Sequence, residues 1–250
     1  MAQRWPETLW IVRHGQSAGN VARDLADQAG LERIGITARD VDVPLSPLGE
    51  TQAAALGRWF AEQAHRPQAV LASPYLRAVR TAELIREAGG VATDLPICND
   101  ERLREKEFGI LDGLTTAGIT AAFPDQREFR RLLGKFYHRP PGGESWCDVI
   151  LRLRSVLDTI ALHHAGQRVL IVAHQVVVLC LRYILETLDE AAILGIDAEA
   201  DVANCSVTEY AFDPAAGAQG GMRLVRYTDA SAVAEVAVTR APDPAVAARG

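Results

Sequence analysis

"TLWIVRHG" (residues 8–15) and "RVLIVAHQ" (168–175) decide how this chain folds. Each is an unbroken apolar run that stops on a histidine, His14 in the first and His174 in the second. Runs without polar alternation mark strands buried on both faces, as inside a sheet covered by helices. If the two strands are parallel neighbours, their ends bring the imidazoles together. A lone histidine after a strand is ordinarily capped or solvated, whereas two at equivalent ends point to a site. No HxH, HxxxH or HExxH spacing accompanies them, which speaks against a metal centre.

Working outward, strand and helix signals alternate. Ser46 and Pro47 predict a helix start, with Leu56, Trp59 and Phe60 on its apolar face. "AVLAS" (69–73) reads as a buried strand, and "PYLRAVRTAELIREA" opens the next helix at Pro74. "LPICND" reads as a strand edge. "ESWCDVILRLRSVLDTIALHHA" is a long amphipathic helix with Val149, Leu153, Val156, Leu157 and Ile160 at helical spacing. "VVVLCLRYILE" continues the second histidine run as a buried helix, and "NCSVTEYAF" and "MRLVRY" form a late hairpin. Two sections, about 21–42 and 114–143, read as long excursions without assigned elements. The pattern predicts an α/β domain with helices on both faces of a sheet, one domain over residues 1–228, and an unassigned tail over 229–250. In such sheets the ligand crevice lies at the strand ends.

Composition narrows the partners. Of 250 residues, 48% are hydrophobic and 23% charged, which is globular, and the net charge of −6 gives no support to nucleic-acid or anionic-membrane binding. No stretch approaches the roughly 18 apolar residues of a membrane span. Cys98, Cys147, Cys180 and Cys205 form no CxxC pair and read as free thiols. With no signal-peptide pattern in "MAQRWPETLW", a cytoplasmic location is expected. An anion site in this acidic chain must be a local basic pocket.

The residues for such a pocket are present. Arg13 precedes His14, and Arg77 falls in the first helical turn after a strand, where backbone N–H groups also favour anions. Arg80 reads as solvated. "ERLREKEFGILDG" contributes Glu105 and Glu107, between which composition does not choose. Together they suit phosphoryl transfer: arginine forks for phosphate oxygens, a neutral imidazole as nucleophile, and a carboxylic acid for the leaving group. Such a set needs neither metal nor cofactor.

In this order, "RHGQSAGN", "SPYLRAVRTA", "LREKEFGILDG", "PPGGESWCDV" and "VLIVAHQ" resemble the histidine phosphatase superfamily (phosphoglycerate-mutase-like), over about residues 8–212. The resemblance implies a three-layer α/β/α sandwich whose mixed sheet is mostly parallel, with one antiparallel strand. It implies His14 as the phosphorylated nucleophile, with Arg13, Arg77 and His174 completing the phosphate pocket and Glu105 as acid/base. It also implies ligand contacts from Gly15, Ser17, Asn20 and Gln175. Gln16 stands where many members carry Glu, Gln175 where Gly is common, and "ILDG" where Trp-Glu-Gly is usual. The Pro140-Pro141 pair passes straight into "GGES", without the long insertion of the glycolytic mutases. That favours a phosphatase acting on a small phosphorylated metabolite. A phosphomutase is the alternative, a phospho-ligand-binding pseudoenzyme the third reading, and a homodimer is left open. His138 and Arg139 fall at the pocket entrance or on the surface; His65, His163 and His164 read as structural or solvated.

Overall fold

The two histidine-ending runs are neighbours. In a computed structural model that describes residues 3–236, β1 (Thr8–Arg13) and β4 (Arg168–Ala173) pair in parallel with Arg13 opposite Ala173. His14 and His174 therefore leave the sheet side by side. The other strands are β2 (Ala69–Ala72), β3 (Ile97–Asn99), β5 (Val207–Asp213) and β6 (Gly221–Asp229), in the order β3-β2-β4-β1-β5-β6. β5 alone runs against the rest, since it is antiparallel to both β1 and β6. The sheet is mixed and mostly parallel, as the resemblance implied.

Alternate strand residues feed two cores, because successive side chains point to opposite faces. Trp10, Val12, Val70, Leu170 and Val172 pack with Leu56 and Phe60 of α2 (Pro47–Glu62) and Ile85 of α3 (Leu76–Glu87). Leu9, Ile11, Leu71, Val169 and Ile171 pack on the other face. Their partners there include Leu153, Val156 and Ile160 of α6 (Trp146–His163) and Val177 and Leu181 of α7 (Gln175–Leu185). Helix, sheet and helix make three layers. Helix starts follow local chemistry: Ser46 caps α2 through Gly49 N–H with Pro47 at the first position, and Ser145 and Asp148 cap α6 reciprocally. Each cap contributes about 1 kcal/mol.

The two excursions contain helices. α1 (Ala18–Gln28) occupies the first, capped reciprocally by Ser17 and Asn20. Ala18, Val21, Ala22, Leu25 and Ala26 recur at helical spacing, a usable signal, although only Ala26 is buried and Leu25 is exposed. The second holds α4 (Thr116–Ala122) and α5 (Pro124–Tyr137), the latter broken at Gly134. In α5 Phe129, Leu132, Leu133 and Phe136 stand at i, i+3, i+4 and i+7, a helical spacing legible in the sequence, although the first three face solvent. A further helix, α8 (Glu190–Glu199), buries Ile193 beside α7. Packing also runs past residue 228: β6 ends at Asp229, and Val233 in a short turn is buried in the core under α2. The rest of the predicted tail, 237–250, lies outside the described residues. Among those described, no helix is long and apolar enough to cross a membrane.

One close approach fixes the loop after β1. A Cβ on Gly15 would come within 2.5 Å of the Gly49 carbonyl oxygen, and a Cβ on Gly49 would overlap the backbone of Gln16. Two glycines facing each other let the loop seat on the first turn of α2. Gly49→Ala is expected to lower stability by about 3 kcal/mol in urea unfolding; a loss below about 1 kcal/mol would contradict this tight contact.

Candidate active site

Three strand ends converge. Ser73, His174 and His14 follow β2, β4 and β1, where Ala72 opposes Val172 and Ala173 opposes Arg13. Backbone bonds continue the alignment, with Ser73 N–H donating to Val172 O and His14 N–H to Ala173 O, both at 2.9 Å. The two imidazole rings lie 5.1 Å apart, edge to face. Nδ1 of His14 is 2.7 Å from Gly15 O, and Nε of Arg77 is 3.3 Å from its Nε2. A carbonyl only accepts and a guanidinium only donates, so Nδ1 carries the proton and Nε2 presents its lone pair. Nε2 of His174 meets Ser73 Oγ at 2.7 Å, while its buried Nδ1 has no hydrogen-bond partner among the described residues. Burial holds both imidazoles well below their ordinary pKa, and Arg77 adds to the effect on each.

Two arginines flank the pair. Arg13, the last residue of β1, donates through Nη1 to Val202 O, while its buried Nε has no hydrogen-bond partner among the described residues. Burial lowers its pKa, though a guanidinium stays charged. The loop before β5 braces this strand end: Asn204 Nδ2 donates to His14 O at 2.9 Å and Cys205 N–H to Arg13 O at 3.0 Å. Arg77, buried in the first turn of α3, gives both Nη groups to Asp40. Nη1 reaches Asp40 O at 2.6 Å and Oδ1 at 3.0 Å, and Nη2 reaches Oδ2 at 3.1 Å.

Geometry separates the two glutamates that composition left equal. Glu105 lines the cavity, accepting Lys106 N–H at 2.9 Å, and burial raises its pKa. Glu107 instead accepts the Tyr75 hydroxyl at 2.8 Å. The segment is held by Glu144 of the "GGES" motif. Glu144 accepts from Arg104 at 2.6 Å, Arg152 at 3.0 Å and Glu107 N–H at 3.1 Å. Arg152 also donates to Arg102 O and Glu105 O, pinning the chain from Arg102 to Glu105 to α6.

Part of this set opens onto a cavity of about 650 Å³ whose lining includes Arg13, His14, Arg77, Glu105 and Gln175, and further out residues of α1; His174 is fully buried behind that lining. Ser17 and Asn20 line it while capping each other. Gln175 lines it with its side-chain amide donating to Asp201 at 2.7 Å. Gly15 does not line it: its N–H donates to Thr81 Oγ1, and its bare Cα answers Gly49. Gln16 also points elsewhere, accepting from Ser46 Oγ at 2.6 Å beneath the start of α2. Neither His138 nor Arg139 reaches the entrance; the first is buried 3.4 Å from Gln126 and the second, exposed, pairs with Asp148. Arg80 is solvated and paired with Glu83 and Glu87. Ser73 and Asp40 were not singled out from sequence. Ser73 ends "AVLAS" as the histidines end their runs, a usable signal, whereas Asp40 gave none. Among the described residues, no three His, Cys, Asp or Glu side chains are placed to hold a metal ion.

Known proteins resemble this chain in sequence and fold. The family model of the histidine phosphatase superfamily (branch 1) matches residues 9–226. A probable phosphoglycerate mutase GpmB of Serratia proteamaculans is 29% identical over 206 residues, covering 80% of this chain and 82% of that protein. A solved mycobacterial glucosyl-3-phosphoglycerate phosphatase, in complex with inorganic phosphate, superposes with a TM-score of 0.68 at 26% identity, covering 90% of this chain and 98% of the other. YhfR of Bacillus stearothermophilus gives 0.70 at 28% identity, with the same coverage.

The hydrogen-bond pattern predicts a neutral His14 with its proton on Nδ1. In ¹⁵N-detected imidazole spectra, His14 and His174 are expected to stay uncharged at pH 6, where an exposed histidine is largely protonated. Titration of His14 near pH 6.5 would contradict the burial argument.

Proposed function

The chain belongs to the histidine phosphatase superfamily, and on that premise we propose that it hydrolyses a small phosphorylated metabolite through a phosphohistidine on His14, without a metal ion. The state of His14 carries this reading. Its Nδ1–H is tied to Gly15 O and its Nε2 lone pair faces a buried guanidinium, so a nucleophile and a phosphate-binding cation share one point. Nε2 attacks phosphorus, the P–N bond forms, and the ester P–O bond breaks. Glu105, whose carboxyl holds its proton more tightly because it is buried, gives that proton to the departing alkoxide. As carboxylate it then takes a proton from water, whose oxygen displaces Nε2 and releases phosphate. Arg13, Arg77 and the buried edge of His174 stabilise the charge spread over the transferring group.

Kinship with a glucosyl-3-phosphoglycerate phosphatase supports hydrolysis, and kinship with a probable phosphoglycerate mutase supports a phosphomutase as the second reading. The outer cavity favours the first. Beyond the arginines at the histidines its lining carries Asp24, Asp27 and Asp112 against Arg23, a poor setting for the carboxylate of a phosphoglycerate or for a second phosphate. A pseudoenzyme is disfavoured because the residues read as nucleophile, acid and both arginines are all present. Four free cysteines suit a reducing compartment, which supports a cytoplasmic setting.

Assayed on p-nitrophenyl phosphate with EDTA present, His14→Ala is expected to lose at least about a thousandfold in kcat. Retained turnover would overturn the mechanism, and transfer to a phosphoglycerate outpacing hydrolysis would favour the mutase. Glu105→Gln should lose about a hundredfold or more on phenyl phosphate and less on the nitrophenyl ester. The pH dependence follows in sign. Burial raises the pKa of Glu105 and lowers that of His14, so both shifts favour the acid carboxyl beside the neutral imidazole. For phenyl phosphate, kcat/KM should therefore rise as pH falls towards the raised Glu105 pKa, and this rise should be absent in Glu105→Gln.

A further inference from the structure

We infer that Asp40 sets the charge selectivity of the site, because its carboxylate holds the donors of Arg77 that a phosphate group must take. This rests on the reading of Arg77 as a phosphate-binding residue. A guanidinium offers the same planar fork to a carboxylate as to a phosphate. Here that fork is engaged: Oδ1 and Oδ2 of Asp40 accept from Nη1 and Nη2 at 3.0 and 3.1 Å, while Nε is directed at His14. The carboxylate therefore stands in for two phosphate oxygens beside the nucleophile.

The pair is lopsided in a way that allows exchange. The Arg77 side chain is 6% exposed and that of Asp40 41%, so the carboxylate can turn to water while the guanidinium stays. The backbone carbonyl of Asp40 also accepts from Nη1 at 2.6 Å, and this contact can hold Arg77 in place once the carboxylate has left. Displacement weakens binding of every phosphate ligand, including the inorganic phosphate released at each turnover. It adds a second, selective effect. Asp40 lies in the electrostatic range of Asp112 and Glu105, raising the pKa of both, so after displacement it remains part of an acidic wall around the substrate's remainder. A remainder bearing its own carboxylate meets that charge, and a neutral polyhydroxyl remainder does not.

The test compares wild type with Asp40→Asn and Asp40→Ala, both of which keep the backbone carbonyl on Arg77. Inhibition by inorganic phosphate should tighten roughly three- to tenfold in both variants. KM should fall for glycerol 1-phosphate and fall further for 3-phosphoglycerate, narrowing the gap between them. Unchanged or weakened phosphate inhibition, with the loss confined to kcat, would overturn the inference and make Asp40 a positioning residue for Arg77. An equal change in KM for the two esters would overturn the charge-selective part. Phosphate binding and turnover by the wild type, measured alongside, separate these failures from failure of the phosphatase reading itself, which would show as neither.

Discussion

Parallel pairing of β1 with β4 is the constraint on which the site depends. Because Arg13 opposes Ala173, the next residues of the two strands are neighbours before any side-chain interaction is considered. The pairing of β4 with β2 then adds Ser73 to the row. A one-residue slip would turn every side chain of a strand to the opposite core. Trp10 and Val12 would exchange faces with Leu9 and Ile11, so packing on both faces enforces the register that the chemistry uses. Stability and function are thus specified by the same alternation of apolar residues.

The electrostatics of the site follow from burial at those strand ends. A protein of net charge −6 places Arg13 and Arg77 beside two buried imidazoles. The histidines answer by remaining neutral, and Glu105 by holding its proton more tightly. Each shift is in the direction that phosphoryl transfer through histidine would favour. Holding the machinery in position falls to residues outside the reaction: Glu144 and Arg152 clamp the Glu105 segment, and the loop through Val202, Asn204 and Cys205 clamps the end of β1.

How much could be read from sequence depended on where each signal was written. His14, Arg13 and His174 were legible because an apolar run that stops on a polar residue announces a strand end. Arg77 was legible through the strand-to-helix step that precedes it. Glu105 needed the family resemblance, since nothing local separates it from Glu107; Tyr75 and Glu144 make the distinction from distant parts of the chain. α1 carried a legible signal, Ser17 as cap and Ala18, Val21, Ala22, Leu25 and Ala26 at helical spacing, although its side chains face the cavity and solvent more than a core. Gly15 was assigned a ligand contact when its requirement is the backbone of Gly49, and Gln16, a departure from the common pattern, proves to belong to the start of α2. Asp40 stayed silent because one aspartate in an irregular stretch has no pattern, and only the fold delivers it to Arg77.

Covalent phosphorylation of His14 at Nε2, on which the proposed mechanism turns, can be trapped. Rapid acid-free quenching of the enzyme during turnover of a ³²P-labelled phosphomonoester tests it most directly. A base-stable, acid-labile label is expected on the peptide containing His14, formed at least as fast as steady-state turnover. Turnover with no trapped label on that peptide under conditions that preserve phosphohistidine, or a label on any other residue, would contradict it.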